Sequence, residues 1–337
     1  MKQDIIEQYR KIPGARILAD GCRIEMPLPA DKNGELGRLV SVFPSGRLMF
    51  NLIDIRSTKI PEIVAAPIDR TRELKINYCL SGRCELRLFT GECTYLTAGE
   101  ISVDAGQALD MFYYPGGEYK GFEVIYSMEN DSDEGFTALA TQFPKPEILY
   151  ERCKQFSRPW IRNAGAFLAG FYEDFQYYIE EEIGTDLIFI KCIELLTYLS
   201  KLDFEQAQLK RTYYTVAQVE IAKRTKETIT SDLSVRYTAK ELADRFGISE
   251  TSLKNYFRSV YGCGYAEYQQ IARMEKAAQM LDETNEKIAD ISMAVGFTTQ
   301  AKFGAAFKAC FGVTPMEYRR LKRLKQDIST KEERRIR

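Results

Sequence analysis

Two segments near the end of the chain repeat one another, and this repetition constrains the fold more than any other feature. The first is AKELADRFGISETSLKNYFRSVYGCGYAEY, from Ala239, and the second is IADISMAVGFTTQAKFGAAFKACFGVTPMEY, from Ile288. Gly247, Phe257, Gly262 and Tyr268 correspond to Gly296, Phe307, Gly312 and Tyr318, with one extra residue in the second copy before its phenylalanine. A duplicated structural unit accounts for the match.

Each copy predicts a helix (Thr238 to Phe246; Lys287 to Val295), then a glycine where φ can turn positive, then a capping residue, Ser249 or Thr298, opening a second helix. That is a helix-turn-helix. In the first copy Leu253, Phe257 and Val260 recur at i, i+4, i+7 and face inward. Thr251, Lys254, Asn255 and Arg258 then occupy the opposite face, with Ser252 beside them, and each can hydrogen-bond a base edge or a phosphate. In the second copy Phe303, Phe307 and Cys310 form the inward stripe and Ala301, Gly304, Ala305 and Lys308 the outward one. Thr299, Gln300 and Lys302 are the polar groups at that helix's start. A helix so bare can approach a DNA groove closely and touch thymine methyls, but it has few groups with which to select a base. Gly304 costs about 1 kcal/mol of helix stability against alanine, which close approach would explain. The candidate DNA contacts are therefore Thr251, Ser252, Lys254, Asn255, Arg258, Thr299, Gln300, Lys302 and Lys308.

Between the copies, YAEYQQIARMEKAAQMLDET reads as one helix with Ile271, Met274, Ala278 and Leu281 inward. At 1.5 Å per residue its roughly seventeen helical residues span about 26 Å. With the flanking units this approaches the roughly 34 Å of one DNA turn, so two recognition helices can reach successive major grooves.

Charge follows the same division. From Thr230 onward there are 19 Lys and Arg against 14 Asp and Glu, while the preceding residues hold 28 against 34. A basic end on an acidic body is the asymmetry expected when one end meets a polyanion.

Histidine is absent from all 337 residues. This removes the usual general base and imidazole metal ligand, so neither an enzyme nor a metal or other cofactor is expected. The eight cysteines show no paired CxxC spacing and read as reduced thiols. Cys79, Cys84 and Cys93 lie close in sequence on predicted strands, where alternation can send them to different faces. The opening MKQDIIEQYRKIPG lacks an apolar core, and Lys191 and Glu194 interrupt the longest apolar run. A cytoplasmic chain without a membrane span is expected.

From about Gly37 to Tyr126 short alternating runs are broken by turn residues, the pattern of a sandwich or barrel. Ser81-Gly82 and Thr90-Gly91 read as hairpin turns nine residues apart. Arg83, Glu85 and Arg87 alternate to one face, which is either solvent or the polar lining of a cavity. Tyr113 and its aromatic neighbours Phe112 and Tyr114 precede the PGG turn. After Pro144-Lys145-Pro146 helical periodicity takes over to about Ile229. Ile188, Cys192, Leu195, Leu196 and Leu199 form a stripe that is either core or a dimer face.

At the repeated units the sequence resembles the AraC/XylS family of transcription regulators. IADISMAVGFTTQAKFGAAFKACFGVTPMEYRR carries that family's signature, and ARMEKAAQML resembles its linker helix. The resemblance covers about Asp232 to Arg323. It implies a seven-helix DNA-binding domain, promoter control through RNA polymerase, a homodimer, and an N-terminal effector domain. Family members often carry a polar or basic residue where this chain has Gly304 and Ala305, which shifts the expected base reading to the first unit. INYCLSGRCELRLFTGECTYLTAGEISVDAG more weakly resembles a cupin-like barrel, which implies a small organic effector, with Arg83, Glu85, Arg87 and Tyr113 as candidate ligand contacts.

The expectation is thus an α+β chain: a β-barrel, cupin-like sensor over residues 1–143, a helical linker and dimerisation region over 144–229, a DNA-binding domain over 230–323, and a basic tail over 324–337. The function expected is sequence-specific, effector-controlled binding of double-stranded DNA. The alternatives are a co-regulator acting through protein contacts and a cupin-type enzyme.

Overall fold

A computed structural model describes residues 6–7, 14–18, 21–27, 37–57, 72–109, 113–128, 143–204 and 211–324. Met111, Phe112 and the tail beyond Leu324 lie outside the described residues. The chain forms two compact units, Met1–Val216 and Ala217–Arg337. Among the described residues no helix is long and apolar enough to cross a membrane.

The first unit is built on an antiparallel sheet. Its strands are β1 (Arg16–Ile17), β2 (Arg23–Pro27), β3 (Gly37–Val42), β4 (Leu48–Ile55), β5 (Glu73–Leu88), β6 (Glu92–Thr97), β7 (Glu100–Asp104), β8 (Ala108–Leu109), β9 (Tyr119–Ser127), β10 (Trp160–Asn163) and β11 (Tyr214–Thr215). They run in the order β1-β2-β3-β4-β9-β5-β6-β11, with β7 between β5 and β10 and β8 beside β5. Among the described residues no ladder closes this sheet, so the expected barrel is corrected to an open antiparallel sheet.

Period-two alternation buries both faces. Val40, Phe50, Leu52, Ile76, Tyr78, Phe122 and Val124 point one way, beneath helices α1 (Pro146–Lys154), α2 (Gly165–Glu180) and α3 (Thr185–Ser200). Leu39, Met49, Ile53, Tyr119 and Ile125 point the other way and gather with Ile24, Leu96, Tyr114 and Ile161. The stripe Ile188, Cys192, Leu195, Leu196, Leu199 is buried in the first cluster, at most 2% exposed, which settles it as core. Phe175 of α2 meets Phe50 of β4 at 4.1 Å between ring centroids.

The expected hairpin turn at Ser81-Gly82 is not one. Sixteen residues of β5 run through it as a single bent strand, with a register shift between Cys79 and Ser81. The first part of β5 pairs with β9 and β7, and the second with β6 and β8. Gly82 has φ of +84°, and a Cβ there would collide with the Glu118 carbonyl. Gly82 lies two residues past the bulged Leu80 and pairs with Tyr119; a left-handed glycine inside a bent strand and one in a hairpin turn look alike in sequence, so sequence alone does not separate them. Thr90-Gly91 does turn the chain between β5 and β6. Helical periodicity also missed β10, which lies between α1 and α2 and pairs with β7.

The second unit is helical: α4 (Val216–Ser231), α5 (Ala239–Asp244), α6 (Glu250–Tyr261), α7 (Tyr265–Glu283), α8 (Ile288–Ala294), α9 (Gln300–Phe311) and a helical segment over 315–324. The helical stretch expected over 144–229 is therefore divided: α1 to α3 pack on the sheet, while α4 from Ala217 belongs to the second unit. Periodicity identifies a helix's apolar face and is silent about which body that face meets.

Candidate nucleic-acid interface

The two helix-turn-helix units are α5-α6 and α8-α9. Thr238 opens α5 with a reciprocal capping box: its hydroxyl accepts from the Glu241 N–H at 3.2 Å, and its own N–H donates to the Glu241 carboxylate at 2.8 Å. Gly247 and Gly296 follow the first helices with φ of +62° and +78°. Ser249 caps α6, and Gly262 ends it in the left-handed conformation. The second reading helix is capped by Thr299, whose hydroxyl accepts from the Lys302 N–H at 3.3 Å, and not by Thr298. The extra residue of the second copy is thus spent in the turn, and α6 and α9 have the same length of 12 residues.

On α6 the inward side chains Leu253, Phe257 and Val260 are fully buried, with Tyr261 beside them. Burial of this size contributes about 1.5–3 kcal/mol per large side chain and fixes the helix's rotation. Rotation decides what the opposite face shows. Thr251, Lys254, Asn255 and Arg258 are all exposed there, and Ser252 is half-buried, accepting from the Ser249 hydroxyl at 2.9 Å. Lys254 pairs with Glu250 one turn back at 3.3 Å, an exposed contact that a phosphate can outcompete.

On α9, Phe303 and Phe307 are buried and meet at 5.7 Å, with Phe297 against Phe303 at 5.6 Å. Cys310, expected inward, is exposed. Phe303 and Phe307 make the buried stripe by themselves, and Cys310, eleven residues past the cap, turns away from it. Gln300, Ala301, Lys302, Ala305 and Lys308 are exposed, as is Thr299 at the cap. A Cβ built on Gly304 meets nothing within 4 Å, so no internal packing requires glycine there.

The helix α7 joins the units, 19 residues long, with Met274, Ala277, Ala278 and Leu281 buried. Ile271, expected inward, is 43% exposed. The inward positions on that side belong to Gln269 and Arg273, which periodicity of apolar residues could not select. Gln269 donates to the carbonyls of Ile229 and Val235 at 3.0 and 2.8 Å, and Arg273 to that of Val235 at 2.9 Å.

In the first unit Arg83, Glu85 and Arg87 share one face of β5, opposite Thr97, Tyr95 and Cys93 of β6. Glu85 is 1% exposed, and its carboxylate accepts from the Tyr95 hydroxyl and from Arg87, both at 3.0 Å. Burial, with the Glu85 carboxylate next, keeps the Tyr95 phenol protonated. The Tyr113 carbonyl accepts from the Glu85 N–H at 2.9 Å. The four candidate ligand contacts are therefore gathered, but Glu85 is closed off by its own neighbours. Cys79 and Cys84 turn toward the cluster of Leu96 and Tyr114, and Cys93 lies on the other face. Burial pushes the Cys79 thiol up to about 12.

The sequence reading passed over a polar row on the sheet's second buried face. Ser41, Asn51, Glu123, Asn77 and Ser102 stand opposite one another across β3, β4, β9, β5 and β7. Ser41 donates to Asn51 at 2.7 Å and Asn51 to Glu123 at 2.9 Å, while the Ser102 hydroxyl, in a residue 1% exposed, has no partner among the described residues. Polar residues set at matching depth inside otherwise apolar strands were the available signal.

A family model for a helix-turn-helix domain matches residues 242–321, from within α5 to beyond α9. The transcriptional activator AggR of Escherichia coli is 27% identical over 139 residues, 41% of this chain and 49% of AggR. The activator AarP of Providencia stuartii is 32% identical over 91 residues, 27% of this chain and 67% of AarP. A transcriptional regulator of Chromobacterium violaceum, described as AraC-type, shares 21% identity with a TM-score of 0.30 over 32% of this chain and 96% of its own. The chain spans about half the length of AggR, so that likeness is to a part of it. The family model falls on the duplicated segment, whose caps, turn glycines and aromatic stripes are described above, and with the 32% identity over 67% of AarP the chain belongs to the AraC/XylS family of transcription regulators.

Proposed function

We propose that the protein is a sequence-specific regulator that binds promoter DNA through α6 and α9, with α6 carrying most of the base selection. One observation carries this reading. Thr251, Lys254, Asn255 and Arg258 are exposed together on one face of a helix whose rotation is locked by buried Leu253, Phe257 and Val260. Asn255 has the donor and acceptor to read an adenine edge, and Lys254 and Arg258 the charge for phosphates or guanine. Ser252, Thr299, Gln300, Lys302 and Lys308 add further contacts, chiefly to the backbone, where they position without selecting.

The test is a mobility shift on promoter DNA adjacent to the protein's own gene, repeated across salt concentrations. Lys254→Ala weakens binding to all sequences and lowers the salt slope by about 1, whereas Asn255→Ala relaxes preference at one base pair by about 1–3 kcal/mol. Wild-type binding by both variants would discard the α6 assignment.

Control by a small organic effector in the first unit, homodimer formation and contact with RNA polymerase complete the proposal. The effector reading is supported by the buried polar row ending in the unpartnered Ser102 hydroxyl, since groups of this kind orient a ligand in an apolar site. Mass spectrometry of small molecules released from the purified full chain tests it, with Glu123→Gln lowering the amount retained.

A further inference from the structure

The helix α7 fixes a length between the two units, but a helix alone does not hold what hangs from its ends. Short connections flank it, Gly262 to Gly264 on one side and Thr284 to Lys287 on the other, and Gly264 caps it without a side-chain hydrogen bond. Apolar packing holds α8 and α9 on α7, and a polar tie is added at the loop 232–237 between α4 and α5.

That loop is gripped from two directions. From α7, Gln269 and Arg273 stand one turn apart and donate to the Ile229 and Val235 carbonyls; the two residues are 6% and 2% exposed. From the second helix-turn-helix, the turn glycine Gly296 presses on the same loop. A Cβ there would lie 2.7 Å from the Leu233 carbonyl oxygen, 2.8 Å from that of Ser234 and 3.0 Å from Arg273 Nη2. The base of the first helix-turn-helix, the connecting helix and the turn of the second helix-turn-helix thus meet at one point.

Burying an arginine against carbonyls is an expensive way to gain stability. Its Nε has no partner among the described residues, and burial lowers its pKa. A methionine of similar volume would serve packing as well or better, so the guanidinium answers a need for geometry. We propose that Arg273 and Gln269, closed over by Gly296, are positioning residues that set the separation of α6 and α9, and so make binding depend on the number of base pairs between the two DNA segments these helices contact. This rests on the DNA-reading proposal above.

The experiment uses the full chain and a duplex that it selects from a random pool, with the contacted segments mapped by hydroxyl-radical protection. One or two base pairs are then inserted between those segments. Two inserted pairs are expected to cost the wild-type protein about tenfold or more in affinity, against about threefold or less for Arg273→Met and for Gln269→Leu, because a loosened pair of units follows the displaced groove. Arg273→Lys, which keeps one donor, falls between. A purely structural role would lower the melting temperature and leave the ratio of affinities for the two spacings unchanged. Variants that fold and keep the wild-type spacing profile overturn the brace; Gln269→Leu carries this test should Arg273→Met not fold. Protection of a single segment by the wild type also overturns it while leaving DNA reading in place, whereas failure to select any duplex removes the DNA-reading proposal itself.

Discussion

At Gly304 the fold leaves open space where a side chain would stand, and the two contributions of a methyl group there can be separated. Gly304→Ala is predicted to stabilise the free protein by about 1 kcal/mol, since helix propensity rises and nothing is displaced. If α9 lies as close to the groove as its bare face allows, the same change weakens DNA binding. A melting curve and a binding isotherm on one preparation check both, and a gain in stability without any loss of affinity would show that close approach is not the reason for the glycine. The exposed residues of α6 were legible from spacing alone, because a helix's period determines which side chains oppose a buried stripe. Residues near the end of a stripe were less so: Cys310 and Ile271 are apolar, sit at plausible positions, and are exposed. Whether the last apolar position of a helix is covered depends on how far its neighbour extends, which no periodicity encodes.

Helix ends and strand bends behave differently from helix faces. The box at Thr238 is local, and so its effect is predictable: Thr238→Ala removes the cap and is predicted to cost about 1 kcal/mol, read as a fall of several degrees in the melting temperature of the helical unit. Glu241 and Glu317 each take hydrogen bonds from a threonine N–H and hydroxyl, Thr238 and Thr314, and this holds their carboxyls below the ordinary value of 4.5. A carboxyl depressed in the folded state adds stability above its ordinary value and loses it as pH falls through the lower folded value. Helical signal is therefore predicted to weaken below about pH 4.5, and Glu241→Gln to flatten that dependence in a circular-dichroism titration. In the sheet, Gly82→Ala is predicted to destabilise the first unit by about 2–4 kcal/mol, because this strand position combines a positive φ with a backbone carbonyl, that of Glu118, where a Cβ would stand. A hairpin turn at this position would tolerate the change better, so denaturant unfolding distinguishes the two.

For the whole molecule, the division at Val216 and Ala217 matters more than the change in sequence texture. Val219, Ala222, Thr225 and Ile229 of α4 are buried in the second unit, and Ile229 supplies a carbonyl to Gln269. A chain beginning at residue 217 is predicted to melt cooperatively. One beginning at residue 230, the boundary suggested by sequence, is predicted to lose about 3 kcal/mol or more through the missing apolar surface and the emptied acceptor. The sequence by itself determined the duplicated helix-turn-helix, its caps and turns, the polar face of α6, the bare face of α9 and the β-rich character of the first unit. Each of these is a local or periodic property, carried by residues within a few turns of one another. Only the tertiary structure decided that β5 bends without reversing, that the sheet stays open among the described residues, that the stripe on α3 is core, that α4 joins the helical unit, and that Arg273 and Gln269 point inward. All of these depend on a partner far away in the chain, and a residue's own neighbours carry no record of which distant surface will cover it.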